Sequence, residues 1–111
     1  AIPELTGAYG KREIDLFSRN CPIPIEEVRE LSHVILMQML PAVVEKDLDT
    51  FCMALNRIQH IGFKRIEVQQ YDAIGRLIDS LEYVGMSSTG PAVFAVTDTN
   101  ARNRLREITG F

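Results

Sequence analysis

Cysteine is scarce in this chain. Cys21 and Cys52 are the two present in 111 residues, and they do not form a CxxC pair. That excludes a disulfide scaffold and a zinc ribbon, and fits a reducing cytoplasm. Excess positive charge is also missing: the formal net charge is −3. A general nucleic-acid binder carries a basic surface, so that class is set aside. Long apolar runs are lacking too. The most apolar stretch, "HVILMQML" from His33 to Leu40, is broken by Gln38 and stops at Pro41. It reads as a buried helix, and no signal peptide or membrane span is expected. The GxxxxGK[ST] phosphate loop is absent, as are internal repeats and low-complexity segments.

What is present fits one globular domain covering residues 1–111, with 46% hydrophobic and 24% charged residues. The opening "AIPELTG" reads like the tail of a strand entering a loop. The closing "REITGF" reads like a helix end followed by Gly110. Both suggest a piece of a longer protein, truncated at each end.

Helices dominate the pattern. Lys11–Asn20 is a short helix carrying Ile14, Leu16 and Phe17. A stronger helix follows Pro24, with Glu26 and Glu27 at its positive end and Val28, Leu31, Ile35 and Met39 at helical spacing. From Val34 to Val44 nearly every face is apolar, which predicts a central helix, and Pro41 should kink or break it. Leu48, Phe51, Cys52, Leu55, Ile58 and Ile61 mark the cleanest helix, with Asp47 as N-cap and Gly62 as its terminal glycine. "FKRIEVQQY" is ambiguous between strand and helix. Ile74, Leu77, Ile78, Leu81 and Val84 define another amphipathic helix. "AVFAV", Ala92 to Val96, reads as a buried strand whose partners the missing ends would supply. A last helix begins after Asp98 or Thr99 as N-cap.

The stretch "GMSSTGP", Gly85 to Pro91, is the leading local candidate for ligand contact. Its backbone N–H groups and the hydroxyls of Ser87, Ser88 and Thr89 suit an anion. In the order helix, loop, strand, however, it would receive the negative end of a helix, so a plain turn is the favoured local reading. The other polar clusters have ordinary explanations. His33 and His60 lack metal-ligand spacing. Glu45, Asp47 and Asp49 suit a solvated helix start more than a magnesium site. Arg102, Arg104 and Arg106 suit a solvated face. Arg57, Lys64 and Arg65 either meet an anionic ligand or balance acids. Glu67 and Asp72 receive no role. The methionines Met37, Met39, Met53 and Met86 are core fillers by default.

"LPAVVEKDLDTFCMALNRIQHIGFKRIEV", Leu40 to Val68, followed by "GMSSTGPAVFAV", resembles the C-terminal part of the archaeal β-ribofuranosylaminobenzene 5′-phosphate synthases. "AIPELTGAYGKREIDLF" is similar to the start of that family's C-terminal half. The synthases belong to the GHMP kinase superfamily. The resemblance implies an α+β fold, a helix-rich ferredoxin-like C-terminal domain of a longer two-domain enzyme. The loop departs from the GxGxGG-like run of the kinases, which favours the synthase branch over ATP-dependent phosphoryl transfer.

For the full-length protein the resemblance implies a pentosyltransferase of tetrahydromethanopterin biosynthesis. Its substrates would be phosphoribosyl pyrophosphate and 4-aminobenzoate or 4-hydroxybenzoate. Mg²⁺ would assist, with no metal site evident in these residues. The same resemblance makes Ser87, Ser88, Thr89 and Gly90 the substrate-binding residues, puts the main phosphate loop in an absent N-terminal domain, and leaves the catalytic residues unknown. The isolated chain is then expected to be inactive. The competing readings are a GHMP-type small-molecule kinase and a non-catalytic ligand-binding or dimerisation module. A homodimer through Val34–Val44 is one use of that helix, although a place in the core is favoured.

Overall fold

A computed structural model describes residues 1–98 and 102–110. In chain order the elements are α1 (Lys11–Asn20), α2 (Ile25–His33), a π-helical turn (Val34–Met39), α3 (Leu40–Glu45), α4 (Leu48–Gln59), α5 (Gly62–Gln69), α6 (Asp72–Ser80), β1 (Val84–Met86), β2 (Val93–Ala95) and α7 (Arg102–Thr109). The architecture is α+β: a helix-rich chain with a small antiparallel two-stranded sheet.

The helix after Pro24 runs on to Glu45, and Pro41 does not stop it. A proline lacks the N–H that would bond to the Met37 carbonyl, and its ring crowds that carbonyl. The chain answers with a wider turn immediately ahead of Pro41, in which the Leu40 N–H reaches back five residues to the Ile35 carbonyl. The helix ends at Lys46, which adopts a left-handed φ of 57° while the Asp47 N–H bonds to the Ala42 carbonyl at 2.9 Å. Asp47 then caps α4 as expected: one carboxylate oxygen accepts from the Thr50 N–H at 3.1 Å and the other from the Thr50 hydroxyl at 2.7 Å. These bonds hold the Asp47 carboxyl below its ordinary pKa.

Two apolar clusters organise the packing. In the first, Val34 on the π turn meets Ala54 of α4 and Ile61, with Leu31, Met39 and Ile58 around them. In the larger, Val68 of α5, Tyr71 just ahead of α6, and Ile74, Leu77 and Ile78 of α6 cover Val84, Met86 and Val93 of the sheet. Ile74 and Ile78 are essentially sealed from solvent. Each is worth on the order of 2 kcal/mol in burial alone.

Several expectations are corrected. The helix over Val34–Val44 is not central. Val34 and Ala42 are buried, but Leu36, Met37, Leu40, Val43 and Val44 are exposed. Met37 and Met53 are likewise exposed rather than core fillers, whereas Met86 is buried. "FKRIEVQ", which the pattern left open between strand and helix, is helical within α5. Gly62 does take a left-handed φ of 60°, but it opens α5 rather than closing α4, which ends three residues earlier at Gln59. The helix through Ile74 ends at Ser80, so Leu81 and Val84 lie outside it and Val84 enters β1. "AVFAV" forms β2, of which Val93 is buried and Phe94 is exposed. Thr99, one of the two caps expected for the last helix, lies outside the described residues.

Candidate functional site, a clasped hairpin loop

The partner of β2 comes from within the quoted stretch itself. β1 and β2 pair antiparallel with Val84 opposite Ala95, Gly85 opposite Phe94 and Met86 opposite Val93. "GMSSTGPAVFAV" is therefore a hairpin, and the order here is strand, loop, strand. The negative end of a preceding helix does not meet this loop, because α6 stops at Ser80 and β1 intervenes. Gly85 packs closely there: a Cβ on it would lie 2.6 Å from the Phe94 ring, which would have to shift.

The loop is held on three sides. Inside it, the Ser87 N–H donates to the Ala92 carbonyl at 2.8 Å and the Gly90 N–H to the Ser87 carbonyl at 2.9 Å. On one side, the Lys64 ammonium from α5 donates to the Ser88 carbonyl at 2.7 Å, the Met86 carbonyl at 3.2 Å and Glu67 Oε2 at 3.3 Å. Three acceptors match the three protons of an ammonium, so Lys64 is fully used as a bracket. Ser88 sits at φ 46°, a left-handed conformation that costs a non-glycine residue about 1 kcal/mol. The Lys64 bond to its carbonyl helps hold it there.

On the other side lies Ala8. Its carbonyl accepts from Thr89 Oγ1 at 2.9 Å, and its N–H donates to the Tyr71 hydroxyl oxygen at 3.1 Å. The "LTGAYG" segment thus runs against the loop. A Cβ on Gly7 would come 3.1 Å from the Gly90 carbonyl oxygen. Gly90 has φ 89°, and a Cβ there would meet the Tyr71 ring at 2.5 Å and the Met86 sulfur at 2.8 Å. Both the backbone conformation and the space demand glycine.

These bonds sort the four expected ligand residues. The Thr89 side chain is buried and spent on Ala8, and the Gly90 N–H is spent inside the loop. Ser87 and Ser88 are exposed. Their hydroxyls are the side-chain donors that the loop presents outward.

Glu67 lies beneath the loop, almost fully buried. Desolvation raises its pKa and outweighs the attraction of Lys64. A carboxyl with a raised pKa makes the fold more stable where it is protonated, so this contribution is largest below the ordinary glutamate range and is lost as pH rises through the raised value. Sequence spacing gave no signal of this pair's connection to the loop, because Lys64 and Ser88 are 24 residues apart.

The remaining charged groups separate. Arg57 pairs with Glu30, and Arg65 with Glu27 at 3.3 Å, so with Lys64 under the loop the three cations do not form one anion patch. His60, missed as a partnered residue, meets Asp79 at 2.8 Å and the Asn56 carbonyl at 2.8 Å. The Asp79 bond raises its pKa, against a lowering by desolvation. Arg106 is exposed. Among the described residues no cluster of three or more His, Cys, Asp or Glu side chains is placed to hold a metal ion. No chemical step is assigned through Mg²⁺. No helix is long and apolar enough to cross a membrane among the described residues.

Comparison with known proteins shows the chain's family. A β-ribofuranosylphenol 5′-phosphate synthase of Archaeoglobus fulgidus is 58% identical over 102 residues, covering 91% of this chain and 33% of that protein. Proteins of the same name from Methanocaldococcus jannaschii and Methanothermobacter thermautotrophicus are each 45% identical, over 87% and 99% of the chain and 31% and 36% of their own lengths. The chain thus spans about a third of the curated relatives it matches. The family model described as GHMP kinases C terminal matches residues 39–109, from the end of the π turn through the clasped hairpin to α7. The chain belongs to the GHMP kinase C-terminal family.

Proposed function

We propose that this chain is the C-terminal domain of a ribosyl-transferring synthase, and that its clasped loop forms one wall of the phosphoribosyl pocket. The similarity to three synthases along nearly the whole chain carries this reading. The substrates are phosphoribosyl pyrophosphate and a benzoate bearing an electron-donating para group. The relatives' name specifies a phenol product, which favours 4-hydroxybenzoate over 4-aminobenzoate.

The reaction breaks the bond from ribose C1 to the pyrophosphate oxygen, and pyrophosphate leaves with the electron pair. The ring carbon bearing the carboxylate attacks C1. The carboxylate then departs as carbon dioxide, and the electrons of its bond to the ring restore aromaticity. The Ser87 and Ser88 hydroxyls and the Ser88 and Thr89 N–H groups supply donors to an anionic oxygen of the ribosyl substrate. The pathway is tetrahydromethanopterin biosynthesis and the compartment the cytoplasm. The ferredoxin-like sheet is completed by the rest of the protein.

The full-length protein should release pyrophosphate and carbon dioxide from the two substrates in equal amounts, and the 111-residue chain alone should not. Turnover by the short chain would overturn the assignment of a partial site. The family model's kinase description favours a second reading, a small-molecule kinase. ATP-dependent phosphorylation, with no use of phosphoribosyl pyrophosphate, would establish it instead.

A further inference from the structure

A small polar cavity of about 100 Å³ lies beside Ala8, between α1 and the residues just ahead of α6. Its polar wall consists mainly of hydrogen-bond donors. Arg12 and Arg19 stand about two turns apart on one face of α1. The Arg19 Nε donates to the Asp15 carbonyl at 3.3 Å, which leaves its terminal N–H groups. Neither guanidinium pairs with a carboxylate among the described residues. Tyr71 is 8% exposed, and its hydroxyl oxygen accepts from the Ala8 N–H at 3.1 Å. The proton of that hydroxyl has no acceptor among the described residues. A buried donor without an acceptor is costly and calls for one. Asp15 is the one acid in the wall, so two cations outweigh it.

We propose that this cavity is a phosphoryl-binding site, in which Arg12, Arg19 and the Tyr71 hydroxyl donate to the terminal oxygens of one phosphate group. The class of ligand follows from the donors and the space. Guanidinium forks match the paired oxygens of phosphate or carboxylate. Three donor groups from two parts of the chain suit a tetrahedral anion better than a planar carboxylate. The volume admits one such group and no more, since pockets for whole drug-sized ligands run to roughly 300–1,000 Å³. The position also links the site to the hairpin loop. Ala8 meets the Tyr71 hydroxyl through its N–H and the Thr89 hydroxyl through its carbonyl. A phosphate that fixes the Tyr71 hydroxyl therefore steadies the residue that clasps the loop. Two sources share this chemistry. One is a phosphate of the ribosyl substrate, with the rest of that molecule outside the cavity. The other is free inorganic phosphate.

The test is titration of the full-length protein with inorganic phosphate, by calorimetry at fixed ionic strength. Binding should be saturable, and acetate should bind more weakly. Arg19→Gln and Tyr71→Phe should each weaken phosphate binding about tenfold, the loss of one hydrogen bond to a charged group. Asp15→Asn should strengthen it, because a like charge leaves the same wall. Arg19 is exposed, so its variant should unfold like the parent, and Tyr71→Phe keeps the ring in the core. Absence of saturable binding would overturn the proposal. So would unchanged affinity in either weakening variant, which is the result for phosphate held elsewhere. Acetate binding as tightly as phosphate would overturn the phosphoryl class. Competition separates the two sources. Phosphate that competes with phosphoribosyl pyrophosphate, with KM for that substrate raised by Arg19→Gln, assigns the cavity to the ribosyl substrate. Phosphate that binds without competing makes free phosphate the ligand. The titration involves no turnover, so its outcome is separate from that of the synthase reading.

Discussion

The two most apolar regions of this molecule are used in opposite ways. Around the sheet, Val68, Ile74, Ile78, Val84, Met86 and Val93 are nearly all sealed from solvent. Along the π turn and α3, Leu36, Met37, Leu40, Val43 and Val44 face outward, and Val44 is 82% exposed. The second region is the denser apolar run in sequence. The difference lies in what the chain provides opposite each. The α6 residues recur on one face, and β1 and β2 lie against that face. The π turn and α3 are apolar all round, and α4 covers one side through Ala54 and Ile58. One-sided periodicity thus says which apolar surface this chain covers, and apolar density alone does not.

Mutations can break or sharpen this contrast. The largest effect should come from Ile74→Ala, which leaves a cavity at a fully buried site. Thermal or urea unfolding should show a loss of about 3 kcal/mol. Lys64→Met comes next. It strips the hairpin of two hydrogen bonds and leaves Glu67 buried without its partner, so a loss of about 2 kcal/mol is expected by urea titration. The apolar outer face should respond far less. Leu36→Ser in the 111-residue chain should fall within about 0.5 kcal/mol of the parent. In the full-length protein the same change should cost more if that face is covered there, which unfolding of both forms would compare.

The smallest effect concerns pH. His60 has a raised pKa because of Asp79, so its contribution is full below the ordinary histidine value near 6.5 and is lost as pH rises through the raised one. Asp79→Asn should flatten that part of the stability–pH curve. Both side chains are substantially exposed, so the change should be slight and should shrink further with salt.

Much of the helical framework was legible. The spacing of α4 and its Asp47 cap are local signals, and the structure places both as expected. The hairpin was hidden for a definable reason. Leu77, Leu81 and Val84 keep helical spacing beyond the point where α6 ends, so periodicity alone carries the helix through β1. Pairing with Ala95 of β2, eleven residues away, takes Val84 out of that helix. The candidate loop was visible as glycine, serine and threonine. Its brackets were not, since Ala8 lies 81 residues from Thr89 and Lys64 lies 24 from Ser88. Such long-range partners leave no local spacing to read. They also changed the reading of the loop, from four equivalent contact residues to Ser87 and Ser88 presented by a fixed frame.

That difference between frame and presented groups is tested most directly by steady-state kinetics of the full-length protein carrying Ser87→Ala and Ser88→Ala together. Both residues are exposed, so unfolding should match the parent. KM for phosphoribosyl pyrophosphate should rise about tenfold, the loss of a hydrogen bond to a charged group. Unchanged kcat and KM, in a protein of unchanged stability, would contradict a substrate role for the two hydroxyls.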